Sequence, residues 1–339
     1  LALSGKLWPA HPKPLPDELL SSWIVRIAAA NGVKLNTLTR QLFGRDLTPW
    51  NRDIDRQAPE WLLKVICAQT GTPQERAYGT TLLGYQGRLF PKRFLSGQLR
   101  WILPVKGLGT TRLGYGVQYC PKCLAEGQEP YFRRAWRVGF YTFCPEHLVM
   151  LHDACPECGA AVALHRRDVG KSVDESKALS HCHACQYDYR MGPFSLPLCC
   201  DIGCFDHHRD LLRELHRNDA SQRVFDIGYV SVLHQLCKVI MSRSNGGALL
   251  RYLTGMMGIE ALDTQRGRVT FEARRVAERH QVVALALWIL MMPEERLRKA
   301  WEEKAVRYSH LVKDFCVPPR WYSNVTKGLQ LGGRSSATD

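Results

Sequence analysis

Tyr119-Cys-Pro-Lys-Cys-Leu124, Phe143-Cys-Pro-Glu-His147, Cys155-Pro-Glu-Cys158 and Cys182-His-Ala-Cys185 carry one pattern: a ligand, two residues, a ligand. A tight turn of that spacing points two side chains and several backbone N–H groups at one ion, and two such knuckles brought together complete a tetrahedron. The four pairs fall within 66 residues, and three have proline directly after the first cysteine. The spacing predicts two structural zinc ions. One is held by Cys120, Cys123, Cys144 and His147, the other by Cys155, Cys158, Cys182 and Cys185. Four protein ligands leave no open position for water, which opposes hydrolytic chemistry. His152, His181 and His183 lie nearby, and spacing favours His147 over them. Cys199, Cys200, Cys204, His207 and His208 could make a third site, but they lack knuckle spacing, which favours buried cysteines and surface histidines. Cys67, Cys237 and Cys316 read as core.

Upstream, the sequence predicts helices. Leu20, Trp23, Ile24 and Ile27 repeat at i, i+3, i+4, i+7 in a helix expected to begin at Pro16-Asp17 and stop at Asn31-Gly32. A short helix capped by Asn36 and running to Phe43, ended by Gly44, and a third from about Pro59 to Thr70 follow. Thr70-Gly71, Thr72 as a cap and Pro73 at a first helical position fit a helix-turn-helix whose second helix runs from Pro73 to about Leu83. Gln74 and Arg76 would then sit where such helices meet base edges. An ordinary helical hairpin fits the same residues. Asp46, Asp53 and Asp55, set among Arg45, Arg52 and Arg56, read as a solvated charged loop.

Between Glu75 and Glu126 there is no acidic residue, and Arg76, Arg88, Lys92, Arg93, Arg100, Lys106, Arg112 and Lys122 alternate with aromatics such as Tyr85, Phe90, Phe94, Trp101 and Tyr115. That mixture fits contact with a nucleic-acid backbone, or docking on an RNA-bearing or acidic partner, while the aromatics also fit a core. The chain as a whole carries 46 basic against 32 acidic residues, a net charge of +14. Such a surplus suits a polyanionic partner.

Downstream of about Phe205 helices return. Tyr229, Val232, Leu233, Leu236, Val239 and Ile240 form one amphipathic stripe and Leu249, Tyr252, Leu253 and Met256 another. A long apolar helix is expected from Phe271 to Leu290 and a last charged one from Glu294 to about Arg307, with a disordered tail from Gly332. The longest apolar run, Val282 to Met292, would rise only about 16 Å as a helix against a bilayer core of about 30 Å. With no charged start and apolar run in Leu1 to Ala10, the expectation is a cytoplasmic chain without a membrane partner. Enzyme motifs are missing: there is no H-x-E or H-E-x-x-H, and Gly170-Lys171-Ser172 has His165 where a phosphate loop needs its first glycine.

Leu15-Pro-Asp-Glu-Leu-Leu-Ser-Ser-Trp-Ile-Val-Arg-Ile-Ala28 resembles the opening of the TniQ/TnsD transposition proteins, and Pro130-Tyr-Phe-Arg-Arg-Ala-Trp136 with the knuckles resembles that family's zinc core, over residues 15–190. The resemblance implies a non-catalytic target selector with the eight knuckle residues as structural ligands. Such a protein marks a DNA site and recruits the AAA+ ATPase TnsC, either by docking as a homodimer on the guide-RNA complex Cascade or, in TnsD-like members, by reading a fixed attachment site directly. The chain is shorter than the long TnsD pattern and longer than minimal forms, which leans toward the Cascade-docking type. By its own alternation, residues 131–136 suit a strand between knuckles, with Arg133 or Arg134 on phosphate or in a salt bridge. The expected architecture is mainly α with small zinc-ribbon β elements: a helix-turn-helix domain over 1–113, a two-zinc module over 114–192 and a helical domain over 193–339.

Overall fold

The computed structural model describes residues 7–44, 50, 52–92, 97–105, 114–170, 178–216, 225–242, 247–261 and 269–329. The expectations for Arg45, Asp46, Arg93, Phe94, Lys106, Arg112, Lys171, Ser172 and the tail lie outside them. The fold is mainly helical, and pairing between extended segments among the described residues is limited to isolated bridges. The chain forms two compact units, residues 1–86 with 92–196 and residues 87–91 with 197–339.

In the first unit, α1 (Leu20–Ala30) is buried from Leu20 to Ala28, on every face. Burial of the first turn removes it from water, so its N–H groups need protein acceptors. Asp55 meets that need, its carboxylate accepting from Ser21 N at 2.7 Å and from Ser21 Oγ at 2.9 Å. The helix starts three residues later than expected because Asp17, at φ +54°, turns the chain instead of capping it. Helix α2 (Leu35–Phe43) has Leu35 N donating to Asp168 at 2.6 Å. Helix α3 (Ile54–Gln57) is capped by Asp53.

Asp53 and Asp55 are not a solvated loop. Both grip Arg137, which is 0% exposed, at 2.6 and 2.9 Å, and Arg137 also donates to Leu103 O at 2.8 Å. A second buried cation, Arg26, is held by Glu18 and Glu129, each at 2.6 Å. Buried ions persist only when paired and hydrogen-bonded in this way.

Helix α4 (Glu60–Thr70) ends at Gly71, whose φ of +59° favours glycine. Helix α5 covers only Gln74–Tyr78, not the expected stretch to Leu83. Gly79 ends it, Thr80 Oγ1 bonds back to Ala77 O, and the chain resumes as a 3-10 turn over Leu82–Tyr85. Thr72 does not cap α5; its hydroxyl accepts from Thr70 Oγ1 at 2.8 Å, and Pro73 takes the N-cap position.

The strand expected at 131–136 is also absent. Glu18 and Arg133 form one bridge, then Arg134–Arg137 turns as a 3-10 helix. What overrides the alternation is contact with the run before α1: Leu19 N donates to Phe132 O, Phe132 N to Ser22 Oγ, and Arg134 N to Asp17 O. The two runs that resemble the transposition family therefore pack on one another.

The second unit is built around α10 (Val276–Met291), which packs against α7 (Ile202–Glu214) and α8 (Ile227–Ile240). Helix α9 (Ala248–Met257) joins α8, and α11 (Pro293–Glu302) packs on α10. Phe271–Ala273 is a separate 3-10 turn, so the long apolar helix starts five residues late. Two further helices, α12 (Tyr308–Val312) and α13 (Arg320–Lys327), follow the one expected to be last. Asp201 and Asp226 cap α7 and α8. His208 is buried rather than on the surface, stacked on His280, and Cys316 is exposed rather than in the core. Among the described residues, no helix is long and apolar enough to cross a membrane.

Candidate metal centres

Three of the four ligand pairs sit on one repeated hairpin. In each, the first cysteine's N–H donates to the carbonyl five residues on, and its own carbonyl accepts from the N–H four residues on. The pairs are Cys144 with Val149 and Leu148, Cys155 with Ala160 and Gly159, and Cys182 with Tyr187 and Gln186. A bridge closes each just outside, at Phe143–Met150, Ala154–Ala161 and His181–Asp188. The fifth residue is left-handed every time: Leu148 at φ +52°, Gly159 at +71°, Gln186 at +64°. The fourth pair differs. Cys120 is the N-cap of α6 (Pro121–Glu126), and Cys123 lies in its first turn.

These turns gather the eight residues into two clusters, Cys120, Cys123, Cys144, His147 and Cys155, Cys158, Cys182, Cys185, with donor atoms within 4.8 Å of one another in each. In the first, His147 Nδ1 stands 3.6, 3.4 and 3.3 Å from the sulfurs of Cys120, Cys123 and Cys144, and Cys123 and Cys144 Sγ are 3.6 Å apart. In the second, Cys155–Cys185 and Cys158–Cys182 are 3.6 and 3.7 Å apart. A zinc tetrahedron with bonds of about 2.3 Å to sulfur and 2.0 Å to nitrogen has edges of about 3.8 and 3.5 Å. The donor sets fit that metal in number, type and spacing.

The surroundings fit it as well. Burial pushes the Cys155 thiol up to about 12, and the sulfurs of Cys120 and Cys144 hold Cys123 far above the usual thiol range. A coordinated cation reverses that preference, since a metal-bound thiol is deprotonated outright. His147 Nε2 pairs with Glu126, a partner that fixes which ring nitrogen faces the sulfurs. Arg133, stacked over Tyr131 and Trp136, lies near Cys123 and Cys144 and places a positive charge beside those two sulfurs. His152 is engaged elsewhere, with Pro193 O and against the Tyr119 ring. No third cluster of this kind occurs among the described residues; Cys204 Sγ instead donates to Ala284 O at 3.5 Å.

Residues 9–151 match the family model TniQ. This stretch belongs to the TniQ family. No curated protein matches the chain. The TniQ match holds α1 to α6 and the whole first cluster, and stops before Cys155. It also holds the docked pair of runs, 15–28 and 130–136.

The six residues expected to meet nucleic acid or a partner have varied settings. Gln74 and Arg76 are exposed on α5, with Arg76 Nη2 donating to Pro14 O at 2.8 Å. Arg88, in the second unit, donates to Glu214 O at 2.8 Å and Leu215 O at 3.5 Å, at the end of α7 where a cation suits the helix dipole. Lys92 is exposed, Arg100 is half-buried, and Arg93 lies outside the described residues. Sequence reasoning missed Glu126 and the acids around Arg26 and Arg137. Glu126 had one usable signal, its place one helical turn beyond Cys123.

Proposed function

We propose that the protein is a non-catalytic target-selection adaptor of a transposon. In this reading it links a guide-RNA Cascade complex on DNA to the AAA+ regulator TnsC, acting in the cytoplasm as a homodimer. The observation that carries the reading is the TniQ match over a stretch that contains one complete four-donor cluster. Zinc held by Cys120, Cys123, Cys144 and His147, and by Cys155, Cys158, Cys182 and Cys185, supplies cross-links and no open coordination position. Stretch 114–192 is then a rigid body, the helical stretches 1–113 and 193–339 meet partners, and Lys92, Arg93 and Arg100 approach nucleic acid.

A second reading is favoured by the turn at Gly71, which leaves Gln74 and Arg76 exposed on α5. In it the protein reads an attachment site directly, as TnsD-like members do.

Affinity capture of the full chain from its host, paired with mobility shifts on naked duplex, separates the two. Co-elution of an ATPase and a guide complex, with only salt-sensitive, sequence-independent DNA binding, supports the adaptor. A sequence-specific shift at physiological salt supports the second reading. Capture of neither partner, with no DNA binding, removes both.

A further inference from the structure

The two metal clusters differ in what covers them. Cys120, Cys123 and Cys144 are buried, and the outer nitrogen of His147 pairs with Glu126. In the other cluster, Cys158 and Cys185 are exposed, while Cys155 and Cys182 are 2% and 0% exposed. Two close contacts among these four run from one knuckle to the other. Exposed Cys158 has its sulfur 3.7 Å from buried Cys182, and exposed Cys185 has its sulfur 3.6 Å from buried Cys155. Each reachable sulfur thus has a protected one beside it, on the opposite knuckle. Sensitive cysteines combine thiolate character, solvent access and a resolving neighbour, and coordination supplies the first of these.

We propose that the Cys155, Cys158, Cys182, Cys185 cluster is an oxidative modification site, converted by hydrogen peroxide to two disulfides with release of its metal, while the other cluster stays intact. The inference rests on the zinc reading above. The Cys158 thiolate attacks the peroxide; the O–O bond breaks, hydroxide leaves, and a sulfenic acid forms. The Cys182 thiolate then attacks that sulfur; the S–O bond breaks, a second hydroxide leaves, and the S–S bond forms. Two thiolates lose two electrons, the peroxide gains two, and the hydroxides take up two protons as water. The site has lost two of its four donors and no longer retains the metal. Cys185 and Cys155 repeat the reaction with a second peroxide. Both disulfides join the same two knuckles that the metal joined, so residues 155–185 keep their cross-links.

The test uses the full chain, with its zinc content measured before any oxidant is added. Hydrogen peroxide is then titrated while released zinc is followed by a colorimetric chelator, and the cysteines are mapped by alkylation and mass spectrometry. The expected result is loss of one of two zinc ions per chain, with Cys158–Cys182 and Cys155–Cys185 linked and Cys120, Cys123 and Cys144 still reduced. Cys158→His preserves a donor, as His147 is in the other cluster, and is expected to slow the release. Simultaneous loss of both ions, earlier loss from the Cys120 cluster, or an unchanged rate in Cys158→His overturns the proposal. So does oxidation of exposed Cys316 at doses that leave all four thiols untouched. Fewer than two zinc ions in the untreated chain would overturn the zinc reading as well.

Discussion

Arg134 Nε donates to Asp17 Oδ1 at 2.9 Å, across 117 residues of chain, and the second oxygen of Asp17 accepts from Ala135 N at 3.2 Å. Asp17 is held at φ +54°. One carboxylate thereby fixes the turn into α1 and the 3-10 turn at Arg134–Arg137.

Asp17→Ala leaves Arg134 without its counter-ion in a site where both side chains are mostly buried. The expected cost is about 2–4 kcal/mol. Asp17→Asn keeps an acceptor and tolerates the left-handed backbone, so it is expected to cost less. Urea unfolding of both variants measures the difference, and equal losses would remove the charge pairing as the cause.

Glu126→Gln removes the carboxylate from the outer nitrogen of His147 without emptying the cluster. The expected effect is a drop of about 10–100-fold in affinity for one of two zinc ions. Competition with a chelator reads it out. An unchanged affinity would make the contact incidental.

The left-handed residue of each knuckle offers a reciprocal pair. Leu148 pays for φ +52° with a Cβ clash and is partly exposed, whereas Gly159 sits at +71° with nothing within 4 Å of a built Cβ. Leu148→Gly is expected to stabilise by about 1 kcal/mol and Gly159→Ala to destabilise by about 1–2 kcal/mol. Thermal midpoints of the two variants should move in opposite directions.

His280 carries the pH prediction. Burial lowers it from 6.5 to about 4, and its Nε2–H donates to Leu198 O at 3.1 Å. The folded state thus binds this proton later than the unfolded chain does. The group's contribution is complete above pH 6.5 and is lost as pH falls toward 4, at up to about 1.4 kcal/mol per pH unit. His280→Gln keeps a donor and cannot titrate. The fall in stability between pH 6.5 and 5 should be smaller in the variant than in the parent chain.

Local features were the legible ones. The knuckles could be read because ligand spacing is set within four residues, and α1 because Leu20, Trp23, Ile24 and Ile27 keep one helical face. The buried acids could not. Asp53 and Asp55 look solvated beside Arg52 and Arg56, and their partner Arg137 lies more than 80 residues away. Tyr131 to Trp136 alternates like a strand, yet hydrogen bonds to Asp17, Leu19 and Ser22 decide its path. Helix α5 failed for a nearer reason: Gly79 and Thr80 stop it after Tyr78, which the apolar Leu82 and Leu83 beyond had masked.

Arg137 has its counter-ions at the cap and in the first turn of α3 and its own place in the turn after Arg133, on either side of residue 114. A natural recombination event or a chimera that swapped the upstream stretch for a distant relative's would strand this cation unless the replacement also brought matching acids. The upstream helices and the downstream turn that carries Arg137 are therefore expected to be exchangeable only as one matched set.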